Sequence, residues 1–157
     1  MVRMIHRFII YFLLLGNTSI FASETRSPQT SFTFHKLRLL IPEPYILEKS
    51  PNESYAYIQT ARKDSFFIAC RKYSKEISRA VLEEAFQLEM KDLSLKRKET
   101  YYSWEENIEG NLIESRFYII ELKSELYSIW LSFRKNEAKN RDFFAKKFLE
   151  IGDFSKP

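Results

Sequence analysis

Cys70 and His35 are the candidate pair for nucleophilic catalysis. A cysteine beside a histidine can act as a nucleophile when the imidazole takes the thiol proton. Cys70 is the chain's only cysteine. It alternates with Phe66 and Ile68, a pattern that predicts a strand with Cys70 as a small core residue. His35 follows the alternation of Leu37, which predicts that it is packed at the end of the sheet. We therefore expect both residues to be structural, while an exposed Cys70 would instead permit an intermolecular disulfide.

Metal and nucleotide sites have no supporting pattern. A structural zinc site needs about four nitrogen or sulfur ligands and a catalytic site about three, whereas the sequence holds one Cys and two His. It has no EF-hand spacing, and its three glycines are too few for a P-loop or a GxGxxG motif. We expect no metal, no cofactor and no intramolecular disulfide.

Carboxylate pairs occur at Glu83–Glu84 and Glu105–Glu106, with Glu109 nearby. General acid–base catalysis needs two carboxylates held in one cleft with separated pKa values. Neighbouring residues point to opposite faces of a strand and diverge by about 100° on a helix. These residues are therefore predicted to be solvated surface, and an uncharacterised hydrolase is the least favoured alternative.

Aromatic residues give the one positive signal. Trp130 lies between Ser128 and Ser132 on one face of a predicted strand, and Tyr102 and Trp104 share a face of another. An aromatic side chain among small polar neighbours can form a shallow recognition surface. These five residues are the predicted partner surface, to which Tyr55 and Tyr57 add further rings. The alternative is that a helix covers this face and that Trp130 belongs to the core.

The first 22 residues are predicted to be an export signal. Arg3 and Arg7 precede the apolar run Phe8–Leu15, and Ala22 supplies a small residue before the cut. The run has eight residues, whereas spanning a bilayer needs roughly 20. The sequence therefore predicts a signal peptide over 1–22, a flexible mature N-terminus over 23–31 and a domain over 32–154. The alternative is that this segment is a single-pass N-terminal membrane anchor. If it is a cleaved signal peptide, only this segment should contact a membrane, and the contact should be transient.

The size of the chain favours a single domain, and its charge argues against nucleic-acid binding. The chain has 157 residues, of which 45% are hydrophobic, with 25 Lys and Arg against 21 Asp and Glu. Without Arg3 and Arg7 the formal charge falls from +4 to 23 − 21 = +2. Basic clusters, interleaved with glutamates, lie at 96–98, at 134–135 with Lys139 and Arg141, and at 146–147. An anionic membrane or envelope polymer suits this balance better than a nucleic acid.

Hydrophobic periodicity predicts a single α+β domain on a mostly antiparallel sheet of about six strands, in the order βββ-α-βββ-α with packed helices. Ser78 is a good N-cap for the first helix, and Ile77 is placed to pack on Leu82. The predicted strands are Thr33–Ile41, Ser54–Arg62, Phe66–Tyr73, Lys98–Glu106, Leu112–Leu122 and Leu126–Arg134, and the predicted helices are Arg79–Leu95 and Ala138–Glu150.

Two local motifs resemble the PsbP-like fold. The strand ending in Ile41–Tyr45, with Pro42 and Pro44, is similar to that superfamily's strand followed by Pro, a turn and an aromatic residue. The ending Phe148–Phe154 is similar to its apolar close on Ser-Phe, with Asp153 in the place of Ser. The superfamily includes photosystem II extrinsic proteins and exported bacterial proteins of unknown role. The resemblance implies an adaptor or binding domain without a shared catalytic centre.

The sequence thus favours an exported, non-enzymatic domain that binds a protein or envelope component. A carrier of a small apolar ligand, held in a pocket between sheet and helix, is the second hypothesis.

Overall fold

The structure, a computed structural model, describes residues 24–25, 31–42, 45–60 and 66–152. The predicted leader Met1–Ala22 lies outside these residues. Within them the chain forms eleven strands and two helices. In chain order these are β1 (Glu24–Thr25), β2 (Ser31–Phe34), β3 (Leu37–Leu40), β4 (Tyr45–Lys49), β5 (Tyr55–Thr60), β6 (Phe66–Lys72), α1 (Arg79–Glu89), β7 (Lys96–Arg97), β8 (Tyr101–Ile108), β9 (Asn111–Leu122), β10 (Glu125–Arg134), α2 (Ala138–Phe144) and β11 (Leu149–Ile151).

The strands form two antiparallel sheets. The large sheet has the order β1-β4-β5-β6-β10-β9-β8-β7 and counts seven strands when the two-residue β1 is set aside. The small sheet has the order β11-β3-β2. The longest strands, β9 and β10, are neighbours near the middle of the large sheet, paired from Leu122 and Glu125 at their turn to Ile113 and Arg134. Side chains of β9 and β10 contribute to the hydrophobic cores on both faces of this sheet.

One face of the large sheet packs against the small sheet and α2. Alternate residues of each strand point to this face, and they form the larger core. Leu37 and Leu39 of the small sheet meet Ile58 and Ile129 of the large one, all without solvent exposure, and Phe144 of α2 completes the contact. Burial of apolar area at about 25 cal/mol per Å² means that this contact stabilises the fold.

The opposite face carries α1 and a smaller core. Ser78 caps the helix, since its side chain accepts a hydrogen bond from the Val81 amide at 3.3 Å, which confirms the predicted start. Phe86 is the buried residue of α1 and stacks on Phe117 of β9 at 4.1 Å. The helix ends at Glu89, earlier than the predicted Leu95. It therefore covers only part of the face.

The predicted fold class is wrong. Of the described residues 53% lie in strands and 16% in helices, so the molecule is mostly β rather than a six-stranded βββ-α-βββ-α domain. The difference arises at places where the sequence carries no turn or strand signal.

The first of these places is the N-terminal strand predicted over Thr33–Ile41. It is a hairpin of β2 and β3, in which Phe34 pairs with Leu37. The turn residue His35 has a positive φ of 51°. Its side chain is exposed and its Nε2 lies 3.0 Å from the Glu53 carbonyl oxygen, so the expectation of a packed His35 is wrong.

The second place is the closing helix predicted over Ala138–Glu150. Helix α2 ends at Phe144, and the chain then adds β11 to the small sheet beside β3. Phe144 and Phe148 are buried, whereas Ile151, in β11, is 52% exposed. The Gly152 amide, just after β11, donates to the Lys36 carbonyl at 3.1 Å.

Candidate functional site

The structure brings the predicted partner surface together on the α1 side of the large sheet. Tyr102 pairs with Phe117, which pairs with Trp130 on the other side of β9. In the same way, Trp104 and Ser132 both pair with Ser115. Strand alternation places Ser128 on this face too. The five predicted residues therefore share one face.

Most of the predicted partner surface is buried. Helix α1 lies over its β8–β9 end, where Phe86 contacts the rings of Tyr102 and Trp104 at 5.3 and 6.0 Å. Tyr102 is 7% exposed and Trp104 is 2% exposed. Ser128 and Ser132 are 1% and 4% exposed, whereas Trp130 is partly exposed. Trp130 thus stands at the border between the helix-covered half of the face and the other half.

The buried serines satisfy their neighbours' polar atoms. The indole Nε1 of Trp130 donates to the Ser132 Oγ at 2.9 Å, and this hydroxyl also lies 2.7 Å from that of Ser115. The hydroxyl of Ser128 lies 3.0 Å from that of Tyr73. Because hydrogen bonds fix the indole orientation, the serines position Trp130.

Trp130 and two further partly exposed rings lie in contact across β5, β6 and β10, and we call them the aromatic row: Tyr57, Phe67 and Trp130. Tyr57 and Phe67 stack at 5.9 Å with an interplanar angle of 28°, and Phe67 lies 6.5 Å from Trp130. Trp130 in turn meets Trp104 edge-on at 5.2 Å. Among the described residues, α1 packs mainly on β9, and the smaller core beneath it includes Trp130 at its border but neither Tyr57 nor Phe67.

The border of the aromatic row is polar. Glu48 of β4 pairs with Tyr57 of β5, and burial together with the Glu48 charge raises the pKa of Tyr57 to about 12. The phenol therefore keeps its proton and remains a hydrogen-bond donor. Gln59 pairs with Phe67, and the Arg71 guanidinium lies 5.0 Å from the Tyr73 ring centre. The face thus combines apolar rings with donors and acceptors.

The carboxylates singled out in the sequence are engaged in separate structural contacts. Glu83 accepts a hydrogen bond from the Tyr102 hydroxyl, and Glu106 accepts one from the Trp104 indole at 3.0 Å. Glu105 pairs with Lys135, whose hydrogen bond lowers the carboxyl pKa. The described contacts therefore place no two of these carboxylates in one cleft.

Cys70 is fully buried, and this burial raises the pKa of its thiol. It faces the larger core between Ala56 and Ile129, as the sequence predicted. His35 lies in the turn of the small sheet with its Nε2 at the Glu53 carbonyl. A buried neutral thiol is a poor nucleophile, so the geometry offers no support for a Cys–His pair.

Among the described residues, no group of three or more His, Cys, Asp or Glu is placed to hold a metal ion. Neither described helix, of 11 and 7 residues, has the length and apolar character needed to cross a bilayer. Comparisons with protein-family models, with curated proteins and with solved structures give no match. The resemblance to the PsbP-like fold stays a prediction.

Phe67 is the residue of the aromatic row that sequence reasoning missed. It follows Phe66, and one of two adjacent aromatic residues in a strand must point away from the core. That signal was available. The pairing of β6 with β10, which puts Phe67 beside Trp130, links strands about 60 residues apart and has no local sequence signal.

Proposed function

We propose that the chain is an exported, non-enzymatic binding or adaptor domain that holds a protein or envelope component on the aromatic row. The observation that supports this is the ring contact from Tyr57 through Phe67 to Trp130, in which all three rings are partly exposed and Tyr57 and Phe67 lie outside the smaller core beneath α1. Aromatic side chains supply large contact area at low entropic cost, and they are frequent binding hot spots. Three such rings, already held in place, can bind a partner without rearrangement.

The polar border indicates the chemistry of the partner. Glu48, Gln59 and Arg71 offer a carboxylate, an amide and a cation around the rings. A partner that combines an apolar or ring-shaped surface with hydrogen-bonding groups fits this border, as a protein segment or an envelope polymer would. A polyanion does not, because the border has no basic excess. The charge pattern therefore favours a partner other than nucleic acid.

The test is a cross-linked pull-down from the envelope fraction of the native cells, with the full chain as bait. Trp130→Ala and Tyr57→Ala are expected to lower recovery of the partner about tenfold or more, since hot-spot rings carry most of the binding free energy. Tyr101→Ala is the matched control, because this half-buried tyrosine lies on the opposite face of the large sheet. Equal recovery by all baits, each with an unchanged circular dichroism spectrum, would contradict the proposal.

Export is the second part of the proposal, and it rests on the leader-like segment 1–22. Fractionation of native cells, with detection of the chain's N-terminus by mass spectrometry, tests it. A chain found outside the cytosol and beginning near Ser23 supports cleavage and release. A membrane-bound chain that retains Met1 would support the single-pass anchor, and a cytosolic chain would contradict export.

A further inference from the structure

A cleft of about 560 Å³ opens on the face of the large sheet opposite the aromatic row. It lies at the β8–β9 end, between these strands and the segment 144–151. Tyr118 and Ile120 of β9 form its floor, and Phe144 and Phe148 form its wall. Its volume falls within the roughly 300–1,000 Å³ of small-molecule sites.

The cleft is preformed, because ring contacts and an ion pair hold its walls. Tyr118 contacts Tyr101 at 4.9 Å and Phe148 at 5.5 Å. Arg116 donates to the Phe144 carbonyl at 2.7 Å and forms an ion pair with Glu114 at 2.7 Å. Burial disfavours the charge on Arg116, but the hydrogen bond and charge of Glu114 and the interactions with Tyr118 together outweigh it and raise the guanidinium pKa. A ligand therefore meets a fixed surface of aromatic and aliphatic side chains, with the paired Arg116 beside it.

The mouth of the cleft carries positively charged side chains that form no ion pair with the described residues. Lys146 and Lys147 are exposed, line the cleft and form no ion pair within the described part of the chain. Arg79, Glu99 and Glu121 line the cleft as well. Three cations, Arg79 and the two lysines, thus outnumber the two glutamates, and the net charge at the mouth is positive. In the other basic clusters at least one member forms an ion pair, as Arg97 does with Glu83 at 3.3 Å and Lys135 with Glu105 at 2.5 Å.

We propose that this cleft binds a single-chain anionic amphiphile of the fatty-acid class. Its acyl chain lies on the Tyr118 and Ile120 floor, and its carboxylate lies at Lys146 and Lys147. The apolar lining favours a hydrocarbon chain over a polar metabolite. The unpaired lysines favour an anionic head over a neutral or cationic one. Because the cleft and the aromatic row lie on opposite faces, failure at one site leaves the proposal for the other standing.

The experiment titrates the full chain with ligands that share a tail and differ in the head, followed by isothermal calorimetry below micelle formation. Decanoate is expected to bind more tightly than decanol, and decyltrimethylammonium more weakly than either. Octanoate is expected to bind more weakly than decanoate, by up to about fourfold per buried methylene. Absence of decanoate binding, or binding of the cationic ligand as tight as that of decanoate, would overturn the proposal.

Variants assign the binding to the cleft. The double variant Lys146→Gln/Lys147→Gln is expected to weaken decanoate binding about tenfold and to leave decanol binding unchanged. Lys75→Gln/Lys91→Gln removes two exposed lysines away from the cleft and is expected to change neither. Ile151→Glu, at a 52% exposed residue of the lining, should also weaken decanoate binding with no loss of folding. Equal decanoate binding by both double variants would show that it occurs elsewhere, for instance on the apolar segment 8–15.

Discussion

At the residue scale, the carboxylate of Glu125 joins the two sheets. Lys36, in the turn between β2 and β3 of the small sheet, forms an ion pair with it. From the large sheet, the Lys72 ammonium lies at 2.6 Å and the Tyr127 hydroxyl donates at 3.0 Å. The hydrogen bonds from Lys36, Lys72 and Tyr127 lower the pKa of Glu125 to about 2, although its side chain is 24% exposed. Protonation of this single group therefore weakens contacts on both sheets.

The low pKa of Glu125 predicts that the free energy of unfolding decreases as the pH is lowered. The folded-state pKa of Glu125 lies below its ordinary value of 4.5, so the stabilisation is complete above pH 4.5 and is lost as the pH falls through about 2. Glu125→Gln is expected to lower the free energy of unfolding by about 1–2 kcal/mol at pH 7. The gap between the two proteins should narrow below pH 4.5.

Urea unfolding followed by tryptophan fluorescence between pH 7 and pH 2 measures this gap. Glu76→Gln is the control, because Glu76 is exposed and forms no ion pair among the described residues. Glu105 is also held ionised by a lysine, so only the difference between wild type and variant isolates Glu125. A Glu125→Gln curve parallel to that of the wild type would contradict the assignment.

The burial of Cys70 and the position of His35 show what residue patterns can predict. Alternation with Phe66 and Ile68 places Cys70 on the core face, whichever strand lies beside it. His35 also continues an alternation, yet it lies in a turn that contains no Gly, Pro or Asn. A pattern therefore predicts a face only while the strand continues, and nothing local marks the end of this strand.

At the scale of elements, α1 is attached to the large sheet mainly through Phe86. Its ring stacks on Phe117 with an interplanar angle of 9° and also contacts Tyr102 and Trp104. The outward side of the helix is exposed, with Leu88 at 69%. Among the described residues, the position of this helix therefore determines which rings of the face are buried beneath it.

Phe86→Ala is expected to lower the free energy of unfolding by about 3–5 kcal/mol, because it leaves a cavity among aromatic rings. Leu88→Ala, on the same helix, should change it by less than about 0.5 kcal/mol. Chemical denaturation of both variants measures the difference. Equal effects of the two substitutions would show that α1 is not anchored by Phe86.

Hairpins are the elements that the sequence predicts best. Glu109 and Gly110 form the turn between β8 and β9 with positive φ at both residues, and a glycine between two strand-like runs is a typical hairpin signal. Residues 117–120 are all apolar, a pattern typical of a strand covered on both faces, and all four are buried. The end of α1 was missed, because Leu93 and Leu95 still pack into the helix-side core after the helix stops.

At the scale of the whole molecule, the order of the strands lies beyond local sequence signals. Each hairpin can be predicted, but the β6–β10 contact and the split into two sheets depend on how the hairpins pack together. The alternation within each strand therefore predicts Trp130 and Trp104 as members of a partner surface, and it leaves open whether a helix covers the face of Trp130. The structure answers differently for the two residues: Trp104 is covered, and Trp130 is partly exposed.

The segment after α2 holds the sheets together. Phe148 packs on Tyr118 of the large sheet, and its carbonyl accepts the Leu40 amide of the small sheet at 2.7 Å. A chain ending at Lys147 loses both this ring and β11. We expect its free energy of unfolding to fall further than that of Phe148→Ala, which alone should cost about 3–5 kcal/mol.

Urea unfolding of these two proteins, with near-ultraviolet circular dichroism as a second signal, measures the effect. The shortened chain should also lose decanoate binding, since residues 148–151 line the cleft. If it unfolds at the same urea concentration as Phe148→Ala, β11 adds nothing to the joining of the sheets.

The pairing of β11 with β3 has a consequence during protein synthesis. Leu149 pairs with Leu39, so the ribosome adds 149 − 39 = 110 residues between the two partners. At about 5–20 residues per second, this takes roughly 6–20 seconds. Throughout that interval one edge of β3 has no strand to pair with, and the apolar side chains beside it stay exposed until β11 is synthesised. A newly made chain therefore presents a binding surface to chaperones for seconds, which the finished molecule no longer has.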